Sequence, residues 1–71
     1  MSAKGKEVVE WMNGELPPLS WSLISINAVK VFFANGVNIT KIDSATVFNS
    51  TVLTELSKLI KEKYNKDLPF C

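Results

Sequence analysis

The segment Trp21–Ile42, WSLISINAVKVFFANGVNITKI, decides the fold of this 71-residue chain, because it fits either a helix or the strands of an antiparallel meander. As a helix it would run from about Trp21 to Ala34 and end at Asn35-Gly36. On a helical wheel, however, its apolar residues spread over the whole circumference. A helix that is apolar on every side is hard to bury in so small a protein. Its Ser, Ile, Asn, Val and Phe residues are also poor helix formers.

The other interpretation is an antiparallel meander that turns at Asn35-Gly36. Asn-Gly between alternating segments is the strongest short-range signal for a hairpin, because a type I′ turn requires positive φ at both central residues. One feature opposes a regular hairpin, since the register places Lys30 against Lys41, a pair of like charges. We favour the meander, whose strands would be Leu23–Ile26, Val29–Ala34, Val37–Ile42 and Ala45–Phe48.

A helix is predicted after this segment, over Thr51–Tyr64, TVLTELSKLIKEKY. Asn49 or Ser50 can cap its start, and Asn65 and Pro69 are typical of its end. A helix of this length is marginal alone, so its apolar stripe needs a partner surface. The stripe repeats at spacings of three and four residues and consists of Val52, Leu53, Leu56, Leu59, Ile60 and Tyr64.

The region before the segment, Met1–Leu16, predicts a short helix that ends at Asn13-Gly14 and is followed by an extended link at Pro17-Pro18. The fold class expected from the sequence is therefore α+β. It consists of a short N-terminal helix, a three- to four-stranded antiparallel meander and a C-terminal amphipathic helix, in one small domain of residues 1–71. The alternative is a small all-α bundle.

The composition argues against most site chemistries. The chain has no histidine, all eight of its basic residues are lysine, and its formal net charge is +1. Without histidine the commonest general base is absent, so we expect no enzyme, no catalytic residue, no metal site and no cofactor. The single cysteine, Cys71, cannot form an internal disulfide but could form one between chains. We expect an intracellular, soluble (cytoplasmic) protein with no membrane segment and no small-molecule substrate.

The function that the sequence favours is non-enzymatic protein binding or self-association, with a homodimer as the expected partner arrangement. A sheet covered by helices on one side would leave apolar residues on the other, which is typical of an interface. The candidate interface residues are Trp21, Ile24, Ile26, Val31 and Phe33.

A nucleic-acid-binding surface is the first alternative. Half of the lysines fall in one nine-residue stretch, 58–66, which covers the end of the last predicted helix. Lysines gathered on one face can contact phosphates. They are Lys58, Lys61, Lys63 and Lys66.

Three family resemblances accompany these interpretations. The order helix, three strands, helix resembles the double-stranded-RNA-binding domain, a family with a lysine cluster at the start of its second helix. Here those positions read Phe48-Asn49-Ser50-Thr51. Forms of that domain without the cluster serve as dimerisation surfaces, and the resemblance implies such a role. Val29–Tyr64 resembles the strand–turn–strand–helix start of ubiquitin-like domains. Asn49-Ser50 with Glu55-Leu56 and the later Leu68-Pro69 is similar in spacing to the second helix of acyl carrier proteins. This resemblance implies a carrier function with a phosphopantetheine site at Ser50.

Overall fold

The computed structural model describes residues 2–70 and consists of three helices around one core, with one short strand pair. The two strands pair antiparallel, with Ala3 opposite Phe48 and Lys4 opposite Val47. Cys71, and with it the disulfide considered for it, lies outside the described residues. In chain order the elements are β1 (Ala3–Lys4), α1 (Gly5–Glu15), α2 (Ser20–Ala34), β2 (Val47–Phe48) and α3 (Ser50–Tyr64).

The predicted three- to four-stranded meander is wrong. The segments expected as the strands Leu23–Ile26 and Val29–Ala34 both lie inside α2. Of the expected strand Ala45–Phe48, only Val47 and Phe48 are extended in a ladder, and they pair with the start of the chain instead of a neighbouring hairpin strand. The all-α alternative is closer, although the described residues retain this two-stranded sheet. The topologies on which the RNA-binding and ubiquitin-like resemblances rested are therefore absent from residues 2–70.

The Asn35-Gly36 pair ends α2 and does not turn a hairpin. Gly36 has a φ of 78°, and its N–H donates to the carbonyl oxygen of Phe33 at 3.2 Å. The N–H of Val37 donates to the carbonyl oxygen of Phe32 at 2.8 Å. These two bonds form a Schellman motif, and the buried side chains of Val37 and Phe32 supply its usual hydrophobic contact. A glycine with positive φ is typical both of a type I′ hairpin turn and of this helix end. The Asn35-Gly36 pair therefore does not distinguish the two structures, and the hairpin prediction was wrong.

The helix α2 tolerates apolar residues all round because only one side of it enters the core. We call this side the inner face of α2; its buried residues are Ser20, Ile24, Ser25, Ala28 and Phe32. The polar side chains bond to carbonyl oxygens of the helix itself: Ser25 Oγ donates to Ser22 at 3.0 Å, and Asn27 Nδ2 donates to Leu23 at 2.8 Å. Tertiary packing of the inner face outweighs the weak helix propensity.

An aromatic cluster lies at the centre of the core. The ring of Phe32 is 5.9 Å from that of Trp21 and 5.5 Å from that of Phe48, and Phe48 is 6.5 Å from Trp21. Phe32 and Phe48 are fully buried and Trp21 is half-buried. The cluster joins the inner face of α2 to β2, and thereby fixes which side of α2 faces outward.

The C-terminal helix is confirmed with nearly the predicted bounds. The side chain of Asn49 accepts a hydrogen bond from the N–H of Val52 at 3.0 Å, so Asn49 is the N-cap. At the other end Asn65 adopts a left-handed conformation with a φ of 55°. Four residues of the predicted stripe, Val52, Leu53, Leu56 and Ile60, are buried.

The N-terminal helix does not end at Asn13-Gly14. It continues through Gly14 to Glu15, and the extended residue that follows is Leu16. Proline at position 17 disfavours helical dihedrals at the residue before it, and this restriction stops α1.

Candidate functional site

Five large apolar side chains are exposed along the side of α2 that points away from the core. We call them the outer face of α2; they are Leu19, Leu23, Ile26, Val29 and Phe33. Leu23, Ile26, Val29 and Phe33 follow one another at spacings of three or four residues, which places them on one stripe of the helix. Leu19 comes four residues before Leu23, directly before the first residue of α2. Leu19, Ile26 and Phe33 are the most exposed, at 83%, 70% and 82%.

A shallow hollow adjoins the C-terminal end of the outer face. Its volume is about 310 Å³, and it is lined by Val29, Phe33, Gly36, Val37, Asn38 and Ile39. The loop after α2 forms its far wall, because the Schellman motif turns Val37 back under the helix. In this loop Asn38 Oδ1 accepts hydrogen bonds from the N–H and the hydroxyl of Thr40, at 3.0 and 2.7 Å. The hollow is therefore held in shape by local hydrogen bonds.

The opposite end of the outer face carries a projecting leucine. Leu19 is the residue before the first turn of α2 and has a φ of 68°, in the left-handed region. This conformation costs a bulky residue roughly 1–2 kcal/mol. The preceding Pro17-Pro18 and the bond from the Ser20 N–H to the Pro17 carbonyl oxygen, 3.2 Å, hold the chain in this turn. The Leu19 side chain is thereby presented almost wholly to solvent.

Charge is nearly absent from α2. Lys30 is the single charged residue between Ser20 and Ala34, and it lies within the stripe of the outer face between Ile26 and Phe33. Ser22 also lies within the stripe, between Leu19 and Ile26, and Asn27 flanks it; both are exposed polar residues. A contact surface of this composition suits an apolar partner surface with few charges.

The structure places the predicted interface residues on two sides of α2. Ile26 and Phe33 lie on the outer face. Ile24 is fully buried in the core, while Trp21 and Val31 are half-buried and pack against the core. Of the predicted set, only Ile26 and Phe33 are thus strongly exposed on one common surface.

The wrong secondary structure explains which residues were missed. Residues two apart share a face in a strand, but in a helix they lie about 200° apart. Ile24 and Ile26 are such a pair, and so are Val31 and Phe33. Leu19, Leu23 and Val29 were missed, and the signal that identifies them is the helical spacing through Ile26 and Phe33.

The four candidate lysines of the nucleic-acid alternative, Lys58, Lys61, Lys63 and Lys66, are exposed at the surface. Two of them form ion pairs within the chain. Lys61 Nζ lies 3.4 Å from Asp67 Oδ1, and Lys66 Nζ lies 3.8 Å from Glu15 Oε2. Exposed pairs of this kind are weak, yet they place carboxylates beside the cations that would contact phosphate.

Ser50, the carrier-site candidate, is the first residue of α3 and is exposed. Its carbonyl oxygen accepts a hydrogen bond from the Thr54 hydroxyl at 2.7 Å. Asn49, the residue before it, takes the capping role.

Within residues 2–70, no group of three or more histidine, cysteine, aspartate or glutamate side chains converges as a metal site. None of the helices in the same range has both the length and the apolar character needed to cross a membrane. Comparisons with protein-family models, curated proteins and solved structures find no significant match to the chain.

Proposed function

We propose that this protein is a non-enzymatic protein-binding module and that its contact surface is the outer face of α2. The observation that supports this proposal is the stripe of five exposed apolar side chains on and directly before a helix whose other side forms the core. Single exposed apolar residues are normal on protein surfaces, but a contiguous patch usually marks a site of contact.

The size of the patch supports the same proposal. The exposed fractions of its five side chains correspond to on the order of 600 Å² of apolar surface, the upper end of what a typical monomer exposes in one patch. Phe33 and Ile26 offer the kind of large anchors that dominate binding energy when a partner encloses them. The hollow beside Phe33 offers a place for an anchor from the partner.

Recognition would follow the helix-in-groove mode, in which anchors at i, i+3, i+4 and i+7 enter an apolar surface of the partner. Ile26, Val29 and Phe33 have this spacing, with intervals of three and four residues and seven in all. The rest of α2 is held by the core, so little ordering entropy would oppose binding.

Site-specific photo-crosslinking in cells that contain the chain tests this proposal. A photoreactive amino acid replaces Ile26 or Phe33, and the matched control replaces Thr54, an exposed residue of α3. We expect discrete protein adducts from positions 26 and 33 and none from position 54. The substitution Leu23→Asp on the same face should abolish the adduct from position 33. Equal labelling from all three positions, or none, would contradict the proposal.

A further inference from the structure

The proposed function leaves the partner open, and the arrangement of the outer face points to one. We propose that the partner is a second copy of the same chain, packed with its α2 antiparallel to the first across a two-fold axis at Ile26. This inference rests on the function proposed above, since it uses the same surface.

The first argument is the symmetry of the stripe along the sequence. A two-fold interface uses the same patch on both subunits, so the patch must complement itself. When Ile26 lies on the axis of an antiparallel pair, residues equally far from it on either side face each other. Leu19 and Phe33 are both seven residues from Ile26, and Leu23 and Val29 are both three residues from it. All five apolar positions of the outer face therefore meet apolar positions of the second copy.

The second argument is the shape of the two ends. Leu19 projects at the start of α2, and the hollow lies beside Phe33 at its end. Phe33 is about 10 Å from Ile26 along the helix, at 1.5 Å per residue, and Leu19 directly precedes the first residue of α2 at the other end. The antiparallel arrangement thus brings Leu19 of each copy to the end of α2 at which the hollow of the other copy lies, twice in one dimer.

The third argument is the position of the charge. Lys30 and Ser22 are each four residues from Ile26, on opposite sides. The antiparallel pair therefore places Lys30 opposite Ser22, and the two lysines are about 12 Å apart along the axis. This exceeds the Debye length of about 8 Å at physiological ionic strength, so salt screens their repulsion as long as the two ammonium groups stay in contact with solvent.

The area of the outer face is close to what a specific dimer needs. Complete burial of both outer faces would remove at most on the order of 1,200 Å² from solvent, and a specific interface should exceed about 1,000 Å². An interface near that limit is expected to form a dimer that dissociates on dilution, so the equilibrium is measurable.

Sedimentation equilibrium of the full chain over a wide concentration range tests the inference. The substitution Cys71→Ser is included throughout, so that an interchain disulfide cannot produce the dimer. We expect a monomer–dimer equilibrium. The substitution Ile26→Asp should weaken it by at least about a hundredfold, because two carboxylates would be buried together on the axis.

Two substitutions of opposite charge at position 22 test the antiparallel arrangement itself. Ser22→Glu places a carboxylate opposite Lys30 of the other copy, and we expect the dimer to tighten about fivefold from the two symmetric pairs. Ser22→Lys is the matched control and should weaken the dimer by a similar factor. Position 22 is exposed, and circular dichroism of each variant confirms that the helix content is unchanged.

Each other result overturns the inference in a different way. Equal effects of both Ser22 substitutions, or none, would exclude antiparallel packing on this face. A monomer at all concentrations would exclude the second copy as partner. If crosslinking from positions 26 and 33 still gave adducts with another protein, the proposed function would stand without this inference. A monomer without adducts would contradict both.

Discussion

The inner and outer faces of α2 carry the same kinds of side chain in opposite surroundings. Phe32 is fully buried and contacts two aromatic rings, while the next residue, Phe33, is 82% exposed. A core built from three helices has room for one side of α2 only. The comparison shows that apolar character alone does not decide burial within the chain, and that the surplus apolar face is available to a partner.

The largest expected effect comes from replacing each of the two neighbouring phenylalanines, in separate variants, by alanine. Phe32→Ala leaves a cavity between Trp21 and Phe48, and we expect it to lower the free energy of unfolding by about 3–5 kcal/mol. Phe33→Ala removes a side chain with few contacts and should change the monomer by less than about 0.5 kcal/mol. Urea unfolding at a concentration where the chain is monomeric measures both. Similar losses for the two variants would contradict the assignment of the faces.

A second prediction tests how tightly the core that holds the inner face is packed. An added Cβ at Gly5 would lie 2.9 Å from Ile42 Cγ2, 2.9 Å from Thr46 Cγ2 and 3.0 Å from Phe48 Cε1. Gly5→Ala should therefore lower the free energy of unfolding by about 1–3 kcal/mol through overpacking.

Gly14→Ala is the matched control for this prediction. Gly14 also lies in α1, and a Cβ there meets nothing within 4 Å. The better helix propensity of alanine should leave stability unchanged or raise it by up to about 1 kcal/mol. If thermal melts showed Gly5→Ala to be as mild as this control, the close approach of Gly5 to Ile42, Thr46 and Phe48 would be wrong.

The third prediction concerns the link that orients α2 against α3. Asn49 Oδ1 caps α3, and its Nδ2 donates to Asn35 Oδ1 at 3.0 Å, at the end of α2. Asn49→Ala loses both bonds and should lower the free energy of unfolding by about 1–2 kcal/mol.

Asn49→Ser separates the two bonds, since serine caps a helix about as well as asparagine but has no amide to reach Asn35. We expect it to recover most of the loss in urea unfolding. Equal losses for serine and alanine would show that the contact with Asn35 matters more than the cap.

The sequence was sufficient for the parts of the fold in which local signals agree. For α3 the apolar spacing, a capping residue at Asn49 or Ser50 and a stop at Asn65 all predict the same helix, and the structure confirms it. For α2 the signals conflict, because Asn35-Gly36 suits both a hairpin and a helix end. Packing decided between them, and the contact of Phe32 with Phe48, sixteen residues later, has no local signature.

The candidate site was predictable in kind and only partly in detail. Surplus apolar residues indicated an interaction surface, and Ile26 and Phe33 were among the residues predicted for it. The meander paired them with residues two positions away, so Ile24 was included although it is buried. Leu19 was not predictable, since its exposure depends on a left-handed conformation that leucine rarely adopts.

The smallest expected effect tests whether the outer face contributes to the stability of the monomer at all. Leu19 is 83% exposed and has a φ of 68°, so its side chain gains little from burial while its backbone is strained. Asparagine tolerates this conformation, and Leu19→Asn should raise the free energy of unfolding by about 0.5–1 kcal/mol. Leu23→Asn is the control on the same face with ordinary helical dihedrals, and it should lower that energy slightly through poorer helix propensity. Opposite signs in urea unfolding would mean that Leu19 is retained at a cost to folding, as expected of a residue that serves binding, and equal signs would remove that argument.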